Sequence, residues 1–523
     1  MLRALAVLAF ALIATLTAPA SVAQSAACVD GTAGGYACDR IDLVAHFTPQ
    51  ELGAPPEGAC PSPYPGLCAN DIWGWEDSET GRRYAIVGLA VGTAFVDVTT
   101  PSAPVRLGML PTATVPSSWR DVKALGDVAL VVAEASDHGI QVFDLTRLRG
   151  LSEDPARRFT ADARYTGVRS AHNLVVNESS QMAYAVGSRV AGTSFPAACS
   201  SRGLHAVDFS DPLNPVFAGC FSDAVDGGDS GYTHDAQCVT YDGPDADYTG
   251  REICFASNEN TVSIFDATDP ARAVLISKVA YPNSAYTHQG WLTEDGRYFL
   301  ANDELDEYYG RVATQRTLVL DVADLDDPGL DFIYDSGMQT IDHNLYVLGN
   351  LAYESNYEAG LRVLDLSRIA DGELEEVAWF DTYPLDTSIN FAGQWSNYPY
   401  FGDGLVIAND GETGFFVLQV DPLLATSASG EAPTETTARL SEPRPNPSSG
   451  GAQLTLRVDA VQTVRAELFD VAGRRVASVY DGTASPGADL TLSVSGAGLP
   501  AGVYVVRVVG ETFQASRRLV LTR

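Results

Sequence analysis

Apolar positions along the chain fall in short runs, many alternating with polar ones, and the spacing of a helix face is nearly absent. Strands are therefore the expected element throughout. One run recurs as a strand that ends on aspartate and is followed by a turn. Its copies are Ala94-Phe-Val-Asp97, Ile140-Gln-Val-Phe-Asp144, Leu204-His-Ala-Val-Asp208, Val262-Ser-Ile-Phe-Asp266, Leu318-Val-Leu-Asp321, Leu361-Arg-Val-Leu-Asp365 and a degenerate Phe415-Phe-Val-Leu-Gln419. Successive last residues lie 47, 64, 58, 55, 44 and 54 positions apart.

Such spacings suit a four-stranded blade, so residues 24–423 predict a seven-bladed β-propeller in an all-β chain. Proline marks the following turn in Thr99-Thr100-Pro101, Asp211-Pro212, Asp269-Pro270 and Asp327-Pro328, because it presets the turn and cannot serve a central ladder. A fourth strand is expected after every copy except the seventh, where Val420-Asp421-Pro422 leads into a linker. The unused strand Ile41–Phe47 is predicted to complete that last blade and leave no long open edge.

Residues 424–441 are rich in Ala, Ser, Thr, Glu and Pro and predict a flexible linker. Beyond it, 442–523 carry apolar strands at Val464–Asp470 and Val503–Val508, with turns at Asp470–Gly473 and Pro500–Gly502, which suits a small C-terminal β-sandwich.

Composition adds the compartment. Residues 1–23 show Arg3, an apolar run from Ala4 to Leu16 and Ser21-Val22-Ala23, the order of a secretory signal peptide. No later run suffices for a transmembrane helix. Eight cysteines follow in local pairs, Cys28 with Cys38, Cys60 with Cys68, Cys199 with Cys220 and Cys238 with Cys254, which favours disulfides over a zinc knuckle. A net charge of −34 argues against nucleic acid as a partner.

The repeats, together with Asp71-Ile-Trp-Gly-Trp75, Ser170-Ala-His-Asn173, Thr233-His-Asp235, Thr287-His-Gln-Gly-Trp291, Asp342-His-Asn344, Ser355-Asn-Tyr357 and Trp395-Ser-Asn-Tyr-Pro399, resemble the LVIVD-repeat propellers of the choice-of-anchor B group over about Cys28 to Asp421. That resemblance implies an exported, surface-exposed propeller with no assigned reaction. The tail, with Pro445-Asn-Pro447, Leu468-Phe-Asp-Val-Ala-Gly-Arg-Arg-Val476, Leu499-Pro-Ala-Gly-Val-Tyr504 and Arg517-Arg-Leu-Val-Leu-Thr-Arg523, resembles a type A sorting domain of the type IX secretion system. The secretion machinery is then an implied partner, and the tail is cut off or exchanged for an anchor after crossing the outer membrane.

Four of the seven histidines recur at the head of a first strand: His172, His234, His288 and His343, at steps of 62, 54 and 55. First strands line the channel of a propeller, so the imidazoles are expected at one funnel. Asp235 and Glu304 are secondary candidates there, and Glu134, Glu259, Asp303 and Glu354 are expected to approach the same mouth. Imidazole with carboxylate suits a divalent metal, zinc first, or calcium if oxygen donors dominate. The competing structural reading is a repeated peg by which each ring bonds the backbone of a neighbouring blade. His46 and His205 are expected to face their own strands or solvent, His138 to sit in a hairpin turn, and the acidic run Asp303–Glu307 to be a solvated loop.

No serine-hydrolase elbow, Walker loop or dinucleotide fingerprint occurs. A non-enzymatic module that binds an extracellular protein, glycan or small molecule is the expectation, with a metal-dependent hydrolase as the alternative.

Overall fold

The computed structural model describes residues 25–523 apart from 57, 61–65, 191–194, 197–198, 201, 224–230, 386, 422–423, 425–437, 442, 459, 471–474, 487–488, 501, 511–513 and 523. The signal-peptide segment, most of the linker and the turn at 471–473 thus lie outside the described residues.

Between Ala69 and Phe380 the chain folds into successive antiparallel meanders, beginning with Ala69–Glu76, Arg83–Leu89, Gly92–Asp97 and Val105–Pro111. Equivalent four-stranded sheets span 120–165, 173–221, 235–279, 287–335 and 344–380, the last extended by Tyr36–Asp39 and Thr32–Ala33. The sheet of Gln394–Tyr398, Leu405–Asp410 and Gly414–Val420 takes its outer strand from the other end of the chain, Ile41–Phe47 pairing antiparallel with Gly414–Val420.

First strands lie side by side in sequence order, Ala69–Glu76 against Arg120–Leu125 and so on to Gln394–Tyr398, which returns to Ala69–Glu76. The sheets therefore close into a β-propeller. Its apolar residues form separate wedges between neighbouring sheets, such as Phe95 with Phe143 and Phe255 with Phe299, in place of one central core. The wedge containing Leu43, Phe380 and Phe416 and the one containing Phe47, Val87 and Phe415 seal the two sides of the composite sheet.

The recurring aspartate has a local cause. In Asp97, Asp144, Asp208, Asp266, Asp321 and Asp365 one carboxylate oxygen accepts the backbone N–H two residues on, at 2.8 to 3.0 Å, and so shapes the turn into the fourth strand. At Gln419 the chain makes no such turn, because the next strand comes from Ile41–Phe47; its amide instead donates to the Asp403 carbonyl at 2.7 Å.

All four expected cysteine pairs are disulfides, and Cys238 and Cys254 face each other directly across paired strands. Two local expectations change. Ala438–Leu440, placed in the linker by composition, pairs with Leu456–Val458 and belongs to the tail. Asp303, Asp306 and Glu307 are buried, with Asp306 bonded to Arg316, so Asp303–Glu307 is an interior turn and not a solvated loop.

The tail packs a sheet of Ala438–Leu440, Gly451–Val458 and Leu490–Ser495 on one of Arg475–Ala484, Gln462–Asp470, Gly502–Gly510 and Gln514–Leu521, with Leu454, Leu468, Val506 and Leu519 between them. This is a small β-sandwich. Among the described residues no helix is long and apolar enough to cross a membrane.

Candidate functional site

An antiparallel meander brings the start of its first strand and the turn between its second and third strands to the same face. His172, His234 and His343 immediately precede first strands and His288 is second in its own; Glu134, Glu259, Glu304 and Tyr357 follow second strands. Ring closure then gathers them at one mouth.

The four imidazoles form an unbroken arc, with ring centroids 4.4 Å apart from His172 to His234, 4.1 Å from His234 to His288 and 4.4 Å from His288 to His343. Tyr357 and Trp395 continue it at 4.5 and 4.9 Å from His343. Each bond that positions a ring uses Nδ1. The Nδ1–H of His234 donates to the His288 carbonyl at 2.9 Å, that of His343 donates to the Trp395 carbonyl, and that of His172 donates to Glu134 Oε1 at 2.7 Å. The Nδ1 of His288 is buried without a hydrogen-bond partner.

Blade-to-blade pegging is therefore real, but it consumes only one ring nitrogen. With Nδ1 carrying the proton, Nε2 keeps its lone pair. Burial holds His234 and His288 well below the ordinary imidazole pKa and takes His343 down to about 3, so these three rings are neutral at neutral pH.

Glu304 enters this arc. Its Oε2 lies 3.8 Å from His288 Nε2, and Oε1 accepts the Tyr357 hydroxyl at 2.6 Å. Burial raises its carboxyl to about 7, opposed by that hydroxyl. One donor atom each from His288, Glu304 and His343 fall within 4.8 Å of one another. Tyr357 was missed in the sequence because its role depends on a backbone φ of +42°, in the left-handed region that few tyrosines adopt.

Asp235 is not brought into the arc. Its carboxylate accepts its neighbour's N–H, from Ala236, at 2.7 Å, and it is raised to about 7 by burial, with Lys123 opposing. It belongs one step deeper, where Lys123 Nζ bonds Asp71 at 3.0 Å and Asp121 at 2.5 Å. These carboxylates are pegs too, accepting the N–H of Val122 and of Leu174 from the next sheet. Deeper still, Trp73, Tyr346 and Trp291 meet edge to face at 5.5 and 5.0 Å and fill the axis.

Other expected groups are spent elsewhere. Asp303 accepts from Tyr281, Ala285 and Tyr286, and Glu354 accepts from Thr317 and Asn356. His138 sits in the hairpin turn between Val128–Ala133 and Ile140–Asp144 as expected, and is buried there with Nε2 accepting from Arg120 at 3.1 Å; His205 is also buried and bonds the Tyr165 hydroxyl at 2.9 Å. The donor set Cys199, His205 and Cys220 is no metal site, because both sulfurs are in a disulfide.

At the other end of the arc, Glu134, Ser136, Ser170, Gly187, Arg189 and Arg202 line a cleft of about 190 Å3. Burial works to raise the Glu134 carboxyl, but His172, Arg202 and Arg189 together hold it below the usual range. The two arginines have no counterpart in the repeat, which is why the sequence pattern did not mark them.

Residues 445–522 match the family model described as secretion system C-terminal sorting domain. The tail is a secretion-system sorting domain. Similar solved structures include the RRP9 WD40 repeats, at 8% identity over 68% of this chain and 94% of that one with a TM-score of 0.43. The Myceliophteria thermophila Cps50 (Swd1) β-propeller domain aligns at 12% identity over 68% and 97% with a TM-score of 0.44. A comparison with curated proteins finds no match.

Proposed function

We propose that this chain is a secreted seven-bladed propeller of the LVIVD-repeat, choice-of-anchor B type, whose axial mouth binds an extracellular ligand with the help of a divalent transition ion. In this reading residues 24–423, closed by Ile41–Phe47, form the binding module, and 442–523 carry it through the type IX machinery. His288, His343 and Glu304 are the metal donors, with His234 and His172 next along the arc and zinc the ion that the nitrogen and oxygen set suits. Asp235 has no part in it.

The observation that carries this reading is the one-sided bonding of the rings. A metal-binding imidazole characteristically donates its remote N–H to a carbonyl or carboxylate, which fixes the tautomer and aims the other nitrogen. His343 does so to Trp395, His234 to His288 and His172 to Glu134. A peg alone gives no reason for these three rings to keep a second nitrogen free to donate a lone pair, and it does not account for His288, whose Nδ1 makes no such bond.

A hydrolase is the second reading, favoured because three protein donors leave coordination positions open for water. The test is elemental analysis of the purified mature protein, wild type against His288→Ala with His343→Ala. One zinc per wild-type chain and none in the variant is expected; metal-free wild type that takes up no zinc on dialysis overturns the proposal. Turnover of ester or phosphoester probes by the zinc form alone would move the assignment to the hydrolase.

A further inference from the structure

The imidazole arc has unlike ends. At one, the cleft beside His172 concentrates cationic donors in a chain of net charge −34. Arg202 stacks its guanidinium 4.6 Å over Tyr232, donates from Nη2 to the Gly187 carbonyl at 3.3 Å and leaves its buried Nε without a partner. Arg189 lines the same cleft, exposed to solvent, with Ser136 and Ser170 beside it. Glu134 is already engaged by His172. A guanidinium held flat by stacking, with donor capacity unspent, is built for a carboxylate or sulfate.

At the other end the arc runs out into aromatic rings. Tyr357 lies 4.5 Å from His343, Phe391 5.7 Å from Tyr357, and Tyr308 5.1 Å from Phe391. Tyr308 and Tyr309 are 52% and 60% exposed, large faces with a polar edge turned to solvent. Exposed aromatic faces of this kind stack on the C–H faces of sugar rings while the hydroxyl edge stays wet.

From these two ends we infer that the mouth takes an acidic oligosaccharide, with its uronate or sulfate group in the Arg189–Arg202 cleft and a sugar ring on Tyr308 and Phe391. The chain between them passes over the imidazoles, a path of six ring-to-ring steps of 4.1 to 5.7 Å, which suits an oligomer and not a single sugar. This deepens the proposed binding role of the same mouth, but the acid-binding end does not itself require the metal.

The test is calorimetric titration of the mature protein with tetragalacturonate, with a sulfated oligosaccharide, with neutral maltotetraose and with tetraglutamate, each on zinc-loaded and on chelator-stripped protein. Tetragalacturonate or the sulfated sugar should bind, and whichever binds more tightly identifies the acidic group. Arg202→Gln and Arg189→Gln should each weaken that binding about tenfold or more without moving the melting temperature in the exposed Arg189 variant. Tyr308→Ala should weaken it several-fold. Equal affinity for tetraglutamate, affinity unchanged within twofold in both arginine variants, or no binding of either acidic sugar overturns the inference. If no zinc binds but arginine-dependent sugar binding persists, the metal reading falls and this one stands. The reverse result separates them the other way.

Discussion

The sheets of 173–221, 235–279, 287–335 and 344–380 and those of 69–111, 120–165 and 394–420 put different side chains at the same place in the ring. In the first group the position holds His172, His234, His288 and His343; in the second it holds Asn70, Arg120 and Trp395. Arg120 spends its guanidinium on Leu89, Thr112 and His138, Asn70 donates to the Ser118 carbonyl, and Trp395 offers its carbonyl to His343. Both groups tie one sheet to the next. What distinguishes them is the remainder: an imidazole that has given its Nδ1 proton still has a lone pair, whereas a guanidinium or an indole has none to offer a cation. A structural peg and a ligand site are thus compatible in one residue type, and only one side of the ring lines its mouth with an arc of imidazoles.

The sharpest break of that contrast is the loss of bound zinc from one ion per chain to none in His288→Ala with His343→Ala, read by elemental analysis, while the side of Arg120 keeps its bonds. Next in size is the layer beneath. Burial opposes the Lys123 charge, but Asp121 and Asp71 hold its pKa well above the ordinary value. Lys123→Met leaves those two carboxylates facing each other and should cost about 3–5 kcal/mol in denaturant unfolding, with zinc binding lost only if the ring opens.

On the side of Arg120 the contrast is open to a change of pH. Burial and then Arg120 lower His138 to about 4, against an unfolded value of about 6.5. As pH falls below about 6.5 the unfolded chain takes up this proton and the folded one does not, so stability should drop progressively, by about 3 kcal/mol at pH 4. His138→Gln should flatten that window in unfolding curves measured across it; an unchanged slope would show that His138 is not the group responsible. The smallest effect is expected from Tyr357→Phe. Removing the hydroxyl that orients Glu304 should weaken zinc affinity about tenfold in competition titrations, with little change in melting temperature.

Much of the scaffold could be read without coordinates. Aspartate two residues before a turn N–H, alternating apolar strands and locally spaced cysteines are short-range patterns, and short-range patterns survive in one dimension. So do the steps between His172, His234, His288 and His343, which report a shared place in the repeat. The composition of 303–307 misled for the opposite reason: whether an acidic run is solvated depends on what packs over it, and here Arg316 and the interior turn do so.

What the amino-acid order alone determined was the class of fold, the sandwich tail and the coincidence of four imidazoles at one level. Only the tertiary structure decided which ring nitrogen is spent, that the Asp235 carboxylate is taken up by the Ala236 N–H, and that Tyr357, Arg189 and Arg202 join the mouth. Those outcomes depend on distances between residues far apart in the chain, set when the ring closes, and no local pattern carries them.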